Sequence, residues 1–123
     1  MDRKAAARAY RESRRPMGVY CVRNLQTGAT LIGRSTDLPS ILNREQASLR
    51  FGGHTNARLQ RDWTAHGASA FAFEVLDTLA WPDDASPTYD PSADLLVLEA
   101  MWRERLQPAG AGNYAARTPS AAT

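Results

Sequence analysis

Alternating apolar and polar positions predict three strands along the chain. Residues 17–24 alternate their apolar side chains between two faces, which is typical of a strand. Residues 29–34 follow a turn that contains Gly28, so these two segments predict a β-hairpin. Residues 70–77 repeat large apolar side chains at every second position, which indicates a third strand.

Apolar residues at helical spacing predict three helices. The first follows the N-cap candidates Ser35, Thr36 and Asp37 and runs to about Arg50, where two glycines end it. The second begins near Thr55 or Asn56 and ends near His66-Gly67, and the third covers residues 93–106. The order is therefore hairpin, two helices, strand, helix. This order predicts a small α/β (α+β) fold, in which helices flank a three-stranded, mainly antiparallel sheet.

The length of 123 residues predicts one domain with a single core of moderate size. We expect residues 16–114 to form that domain, residues 1–15 a basic N-terminal arm or helix, and residues 115–123 a disordered tail. The sequence shows neither a long apolar run nor a secretory signal, so we expect no membrane association. Cys21 is the single cysteine, which fits a reducing, cytoplasmic location and excludes a cysteine-rich zinc site.

The net charge of +2 is unevenly distributed along the chain. Residues 1–15 carry a net charge of +4, residues 16–67 carry +3 and residues 68–123 carry −5. A basic half beside an acidic half favours a polyanion such as DNA as a partner, although ordinary solvated surface explains the charges equally well. The candidate nucleic-acid-binding residues are all basic: Lys4, Arg8, Arg11, Arg15, Arg58 and Arg61.

Glu99 is the strongest candidate for chemistry, because it lies on the apolar stripe of the third helix. A carboxylate there costs free energy unless it is paired, so a divalent metal, an arginine or an edge-of-core position would each explain it. Tyr20 and His54 are further candidates, but a packed aromatic and a capping histidine are the simpler interpretations for each alone. Cys21 is most simply a small apolar strand residue.

In combination, these segments resemble the GIY-YIG nuclease family. Gly18-Val19-Tyr20, ten further residues and then Leu31-Ile32-Gly33 are similar to the two triplets that name the family. Further similar blocks follow in the family's order: Ser35-Thr36-Asp37-Leu38, Gly52-Gly53-His54-Thr55-Asn56, Leu59-Gln60-Arg61-Asp62-Trp63 and Leu98-Glu99-Ala100-Met101-Trp102. A lone Gly-x-Tyr would carry little weight, whereas several blocks in order indicate the fold.

The resemblance implies an endonuclease that hydrolyses DNA phosphodiester bonds with one divalent metal ion. By resemblance, Tyr20 helps to deprotonate the attacking water and Glu99 holds one Mg²⁺ or Mn²⁺ ion. His54 matches a histidine at the junction of the two helices, and Asn113 loosely matches a terminal asparagine. These roles agree with the activated water and the positive charge that phosphodiester hydrolysis requires.

The sequence also departs from the family's pattern. Leu31 replaces a tyrosine, Ile41 occupies the position of an arginine that steadies phosphate charge, and Glu45 replaces a histidine and would repel phosphate. Arg44 lies three residues after Ile41 and could act from a shifted position, as could Arg34. Two hypotheses stay open. One is a metal-dependent nuclease with weak hydrolysis, and the other is a catalytically inactive module that binds nucleic acid or a protein.

Overall fold

Three strands and three helices make up the described part of the chain, which in this computed structural model is residues 15–82, 88–106 and 114. The elements are β1 (Met17–Asn24), β2 (Thr30–Ser35), α1 (Leu38–Phe51), α2 (Ala57–His66), β3 (Phe71–Leu79) and α3 (Ser92–Arg105), with a short 3-10 turn (Ala68–Ala70) before β3. The predicted α+β architecture is confirmed. The predicted tail and all of the predicted arm except Arg15 lie outside the described residues. So do four expected site residues: Lys4, Arg8, Arg11 and Asn113.

The sheet has the order β2-β1-β3, and both pairings are antiparallel. In the hairpin, Tyr20 lies opposite Gly33, so the two family-like triplets are neighbours across the strands. On its other side, the backbone of β1 approaches that of β3 closely at Gly18. A β-carbon on Gly18 would lie 2.0 Å from the carbonyl oxygen of Asp77. Only glycine fits that approach.

Each face of the sheet supports its own apolar layer. On one face, β1 and β3 pack with α1 and α2 in a cluster that contains Val22, Leu49, Leu59, Phe71 and Tyr114. The opposite face packs against α3 through Val19, Cys21, Ile32, Leu98 and Trp102. This division follows from the alternation of side chains along β1, which is the central strand and is buried on both faces.

Capping side chains fix where α1 and α2 begin. The carboxylate of Asp37 accepts a hydrogen bond from the backbone N–H of Ser40 at 3.2 Å. In the same way, the side-chain oxygen of Asn56 accepts a hydrogen bond from the backbone N–H of Leu59 at 3.1 Å. Gly52 ends α1 in the left-handed conformation, with a φ of 84°. These caps set the short connection between the helices, where His54 lies.

Tyr114 is packed into the first apolar layer. Its hydroxyl accepts a hydrogen bond from Asn24 Nδ2 at 3.0 Å and donates one to Asp62 at 2.5 Å. Asn24 is fully buried, so its amide depends on this partner. No helix within the described ranges has both the length and the apolar character needed to cross a membrane.

Candidate active site

Tyr20 lies at the centre of the sheet with its hydroxyl turned toward α1. The residue is 6% exposed, and its hydroxyl donates a hydrogen bond to Glu45 Oε2 at 3.1 Å. Burial raises the pKa of Tyr20 far above its ordinary value, and the charge and hydrogen bond of Glu45 raise it further. The phenol is therefore held in its protonated form, as a donor to Glu45.

Glu45 is shared between Tyr20 and His54. Its Oε1 accepts a hydrogen bond from His54 Nε2, and the side chains of His54 and Glu45 are only 5% and 13% exposed. The backbone N–H of Asn56 donates to His54 Nδ1 at 3.0 Å. Since Nδ1 accepts, the proton of a neutral imidazole lies on Nε2 and points at Glu45. We call Tyr20, Glu45 and His54 the tyrosine cluster.

The inward direction of Glu45 changes the expectation drawn from the sequence. That expectation treated its carboxylate as a charge that repels phosphate from the surface of α1. In the structure both carboxylate oxygens are engaged by Tyr20 and His54, at the side of α1 that faces the sheet. Glu45 is therefore a hydrogen-bond acceptor within the site rather than a surface charge.

Glu99 is buried at 5% exposure and is paired with two arginines. Arg34 Nη1 donates to Glu99 Oε1 at 2.5 Å, and Arg103 Nε donates to Oε2 at 2.7 Å. Arg103 also donates from Nη2 to the backbone carbonyl of Ile32 at 2.7 Å. Among the interpretations left open for this acid, the structure therefore shows ion pairing. We call Arg34, Glu99 and Arg103 the glutamate cluster.

The charges of the glutamate cluster act on the hydroxyl of Tyr20. The negative charge of Glu99 adds to the rise in the pKa of Tyr20, whereas the positive charge of Arg103 lowers that pKa. Both clusters adjoin residues 32–34 of β2, because the Tyr20 ring lies over Gly33, Arg34 is the next residue and Arg103 donates to the carbonyl of Ile32.

A cleft of about 430 Å³ opens beside the N-terminal half of α1. It is lined by Ser35, Asp37, Ser40, Ile41 and Arg44. Ile41, at the expected arginine position, gives this cleft an apolar wall, while the exposed Arg44 supplies its positive charge. Tyr20, His54 and Glu99 are not among the residues that line this cleft, so the cleft does not connect Arg44 with either cluster.

The remaining candidate DNA-binding residues within the described part make no hydrogen bond or ion pair with either cluster. Arg15 is exposed and pairs with Asp37 at 3.3 Å. Arg58 and Arg61 are exposed on α2, and the guanidinium of Arg58 lies 5.3 Å from the ring centre of Tyr114. Their basic charge is therefore spread over the surface of α1 and α2.

The chemistry of Glu99 only partly suits a divalent metal ion. Mg²⁺ prefers carboxylate oxygen and is often held by one or two carboxylates with water and phosphate. However, each oxygen of Glu99 already accepts from a guanidinium, and in the described ranges no group of three His, Cys, Asp or Glu side chains converges as a metal site. A metal ion at Glu99 would therefore compete with Arg34 and Arg103 for these oxygens.

Arg103 is the site residue that the sequence analysis missed. It lies four residues after Glu99 on α3, and a glutamate followed at that spacing by a basic residue is a favourable helical pair. That spacing was the available signal. The hydrogen bond from Arg103 to Ile32 had none, because it depends on how α3 packs against β2.

The sheet order, the paired triplets and the buried glutamate of α3 define a divergent GIY-YIG-like α+β fold. The catalytic domain of the homing endonuclease I-TevI has a similar structure, with a TM-score of 0.63 and 22% identity over 80% of this chain and 98% of that chain. A glutamate-to-alanine variant of the catalytic domain of the intron endonuclease I-TevI gives a TM-score of 0.63 and 21% identity over 84% of this chain and 97% of that chain. At these identities the likeness establishes the fold. By sequence, the chain matches no family model and no curated protein.

Proposed function

We propose that the chain is a GIY-YIG-type nuclease domain that acts on DNA and hydrolyses phosphodiester bonds slowly, with the help of one Mg²⁺ or Mn²⁺ ion. The position of both clusters along residues 32–34 of β2 carries this proposal. The likeness to the I-TevI catalytic domain adds support, because that domain has a similar fold and is the catalytic part of a homing endonuclease.

Glu45 gives Tyr20 a way to accept a proton although its pKa is raised. When a water molecule attacks phosphorus, its proton passes to the oxygen of Tyr20, while the proton of Tyr20 passes to Glu45 Oε2. The water oxygen forms a bond to phosphorus, the ester bond to the leaving oxygen breaks, and that oxygen takes a proton from solvent. His54 holds Glu45 in place for this transfer by donating from Nε2.

Glu99 is the residue that would hold the metal ion. When bound, the ion would neutralise phosphate charge and lower the pKa of a nearby water. In its resting arrangement Glu99 is engaged by Arg34 and Arg103, and breaking one of these contacts adds to the energy required. Together with the loss of a guanidinium at Ile41, this accounts for slow hydrolysis, since each 1.4 kcal/mol of lost stabilisation reduces the rate about tenfold.

A nicking assay on supercoiled plasmid tests this function. We expect slow nicking in Mg²⁺ or Mn²⁺ that is abolished by a chelator and by Tyr20→Phe, Glu45→Gln or Glu99→Gln. The matched control is Glu74→Gln, because Glu74 is also a partly buried glutamate paired with an arginine, Arg23, but lies outside the site. Nicking that survives in Glu99→Gln at the wild-type rate would contradict the proposal and point to a contaminating nuclease.

The second candidate is a catalytically inactive module that binds DNA. The observation that favours it is the engagement of both Glu99 oxygens by arginine. It predicts DNA binding that weakens steeply with salt, with no cleavage of single-stranded, duplex or branched DNA in either metal. If the chain also fails to bind DNA in about 20 mM salt, both candidates fail and a protein partner becomes the working hypothesis.

A further inference from the structure

The glutamate cluster keeps its two arginines partly at the surface while its carboxylate is buried. The side chains of Arg34 and Arg103 are 44% and 37% exposed, whereas that of Glu99 is 7% exposed. Two guanidinium charges against one carboxylate leave a net charge of +1 on the cluster. The positive side of this ion-pair cluster therefore faces solvent.

The hydrogen bonds of the two guanidiniums leave donors available. Arg103 uses Nε and Nη2 for Glu99 and for the carbonyl of Ile32, and Arg34 uses Nη1 for Glu99. Considering only contacts between described residues, Nη1 of Arg103 and both Nε and Nη2 of Arg34 have no partner. A guanidinium offers five N–H donors, and its planar fork matches the oxygens of a phosphate.

Glu99 also fixes where these donors lie. A free arginine loses side-chain entropy when it is immobilised at an interface. Arg103 is already held at two points, by Glu99 and by Ile32, and Arg34 is held by Glu99. Ligand binding at this cluster therefore requires little further ordering of the side chains.

We propose that Arg34 and Arg103 together form a binding subsite for a backbone phosphate of DNA, a proposal that rests on the DNA-directed function above. Ile41 leaves α1 without a guanidinium at the expected arginine position. The subsite supplies guanidinium charge from Arg34 on β2 and Arg103 on α3 instead. It holds phosphate without a divalent cation, because Glu99 already positions both arginines. Arg34 directly follows Gly33, over which the Tyr20 ring lies, so the held phosphate is beside the tyrosine cluster.

Duplex DNA binding in the presence of a chelator tests the subsite through the variants Arg34→Gln and Arg103→Gln. Each variant should weaken binding about tenfold near 50 mM salt and reduce the slope of log K against log salt by about 1. The matched control is Arg23→Gln, because Arg23 is also a partly exposed arginine that pairs with a glutamate, Glu74. Arg105→Gln is a second control on α3, where Arg105 packs over the ring of Trp102. Both controls should retain the wild-type slope.

Arginine side-chain NMR of the wild-type protein gives a second measurement that does not depend on how a variant folds. We expect the Nε–H signals of Arg34 and Arg103 to shift on titration with a short duplex, while that of Arg23 stays in place. An arm with inorganic phosphate alone separates general phosphate binding from DNA binding. Saturable shifts with the duplex at concentrations where inorganic phosphate produces none support a backbone-phosphate subsite.

Three outcomes overturn the inference or its basis. If DNA binds but the Arg34 and Arg103 signals and slopes are unchanged, the subsite is wrong while the proposed function stands. If all four variants, including Arg23→Gln, reduce the slope equally, binding is diffuse and the subsite is again wrong. If the wild-type chain binds no duplex in about 20 mM salt, the DNA-directed function itself fails.

Discussion

The ring of Tyr20 lies directly over Gly33 on the neighbouring strand. A β-carbon at position 33 would lie 2.6 Å from the Tyr20 hydroxyl oxygen and 2.7 Å from its Cζ. The absence of a side chain at Gly33 therefore lets the phenol cross β2 and reach Glu45. The glycine of the second triplet has a steric role in placing the tyrosine of the first.

Gly33→Ala should displace the Tyr20 ring and break its hydrogen bond to Glu45. We expect a loss of about 1–3 kcal/mol in the free energy of unfolding, because the added methyl group overpacks a buried contact. Gly53→Ala is the control, since a β-carbon at Gly53 meets no atom within 4 Å. Urea denaturation of both variants checks this. Equal stabilities would show that the ring moves without cost.

The raised pKa of Tyr20 predicts a loss of stability at high pH. The folded state holds the phenolic proton more tightly than the unfolded chain does. The stabilising contribution is therefore complete below the unfolded pKa of about 10 and decreases as the pH rises through the folded pKa. Above about pH 10 the free energy of unfolding should fall more steeply in wild type than in Tyr20→Phe, by up to about 1.4 kcal/mol per pH unit. Parallel curves in urea titrations across this range would contradict the assignment.

Cys21 should react slowly with thiol reagents while the protein is folded. The residue is fully buried, and burial raises the pKa of its thiol to about 11. Because the thiolate is the reactive form, modification at about pH 8 should be much slower in the native protein than in urea. Ellman's reagent, followed by absorbance with and without denaturant, gives the two rates. Similar rates would mean that β1 opens readily.

Tyr114→Phe should destabilise the domain through the buried amide of Asn24. The variant removes one acceptor for that amide and one donor to Asp62. Leaving a buried polar group unpaired costs about 1–3 kcal/mol. Tyr89→Phe is the matched control, because the Tyr89 hydroxyl bonds to Asp94 at the surface and its loss should cost under about 0.5 kcal/mol. Thermal or urea unfolding compares them, and equal effects would exclude a special role for Tyr114.

Local sequence signals determined the element order and most element ends. The alternation in β1 predicted residues 17–24, and the strand is Met17–Asn24. Asp37 was one of three adjacent cap candidates for α1, and it is the residue that caps the helix. Asn56 was one of two residues predicted near the start of α2, and its side chain caps that helix. The resemblance of the two triplets correctly indicated the fold. The triplets are neighbours because Tyr20 pairs with Gly33, and this pairing follows from the register of a hairpin that is local in sequence.

Features that depend on packing between distant elements were not predictable in the same way. The sequence gives no indication that the Glu45 carboxylate turns inward to meet both Tyr20 and His54, because this requires the angle at which α1 crosses the sheet. The sequence left Glu99 open between a metal and an arginine partner for a similar reason. Its partner Arg34 is 65 residues away along the chain and is brought near only when α3 packs against β2.

The hydrogen bond from Arg103 to the carbonyl of Ile32 has a consequence for self-association. Ile32 belongs to β2, an outer strand of the described sheet, and exposed backbone acceptors on outer strands invite pairing with strands of other molecules. A side chain clamped over this carbonyl leaves one fewer position at which a foreign strand can add. The hydrogen bond that helps to orient Arg103 thus also blocks one acceptor at the edge of the sheet, which disfavours aggregation through β2.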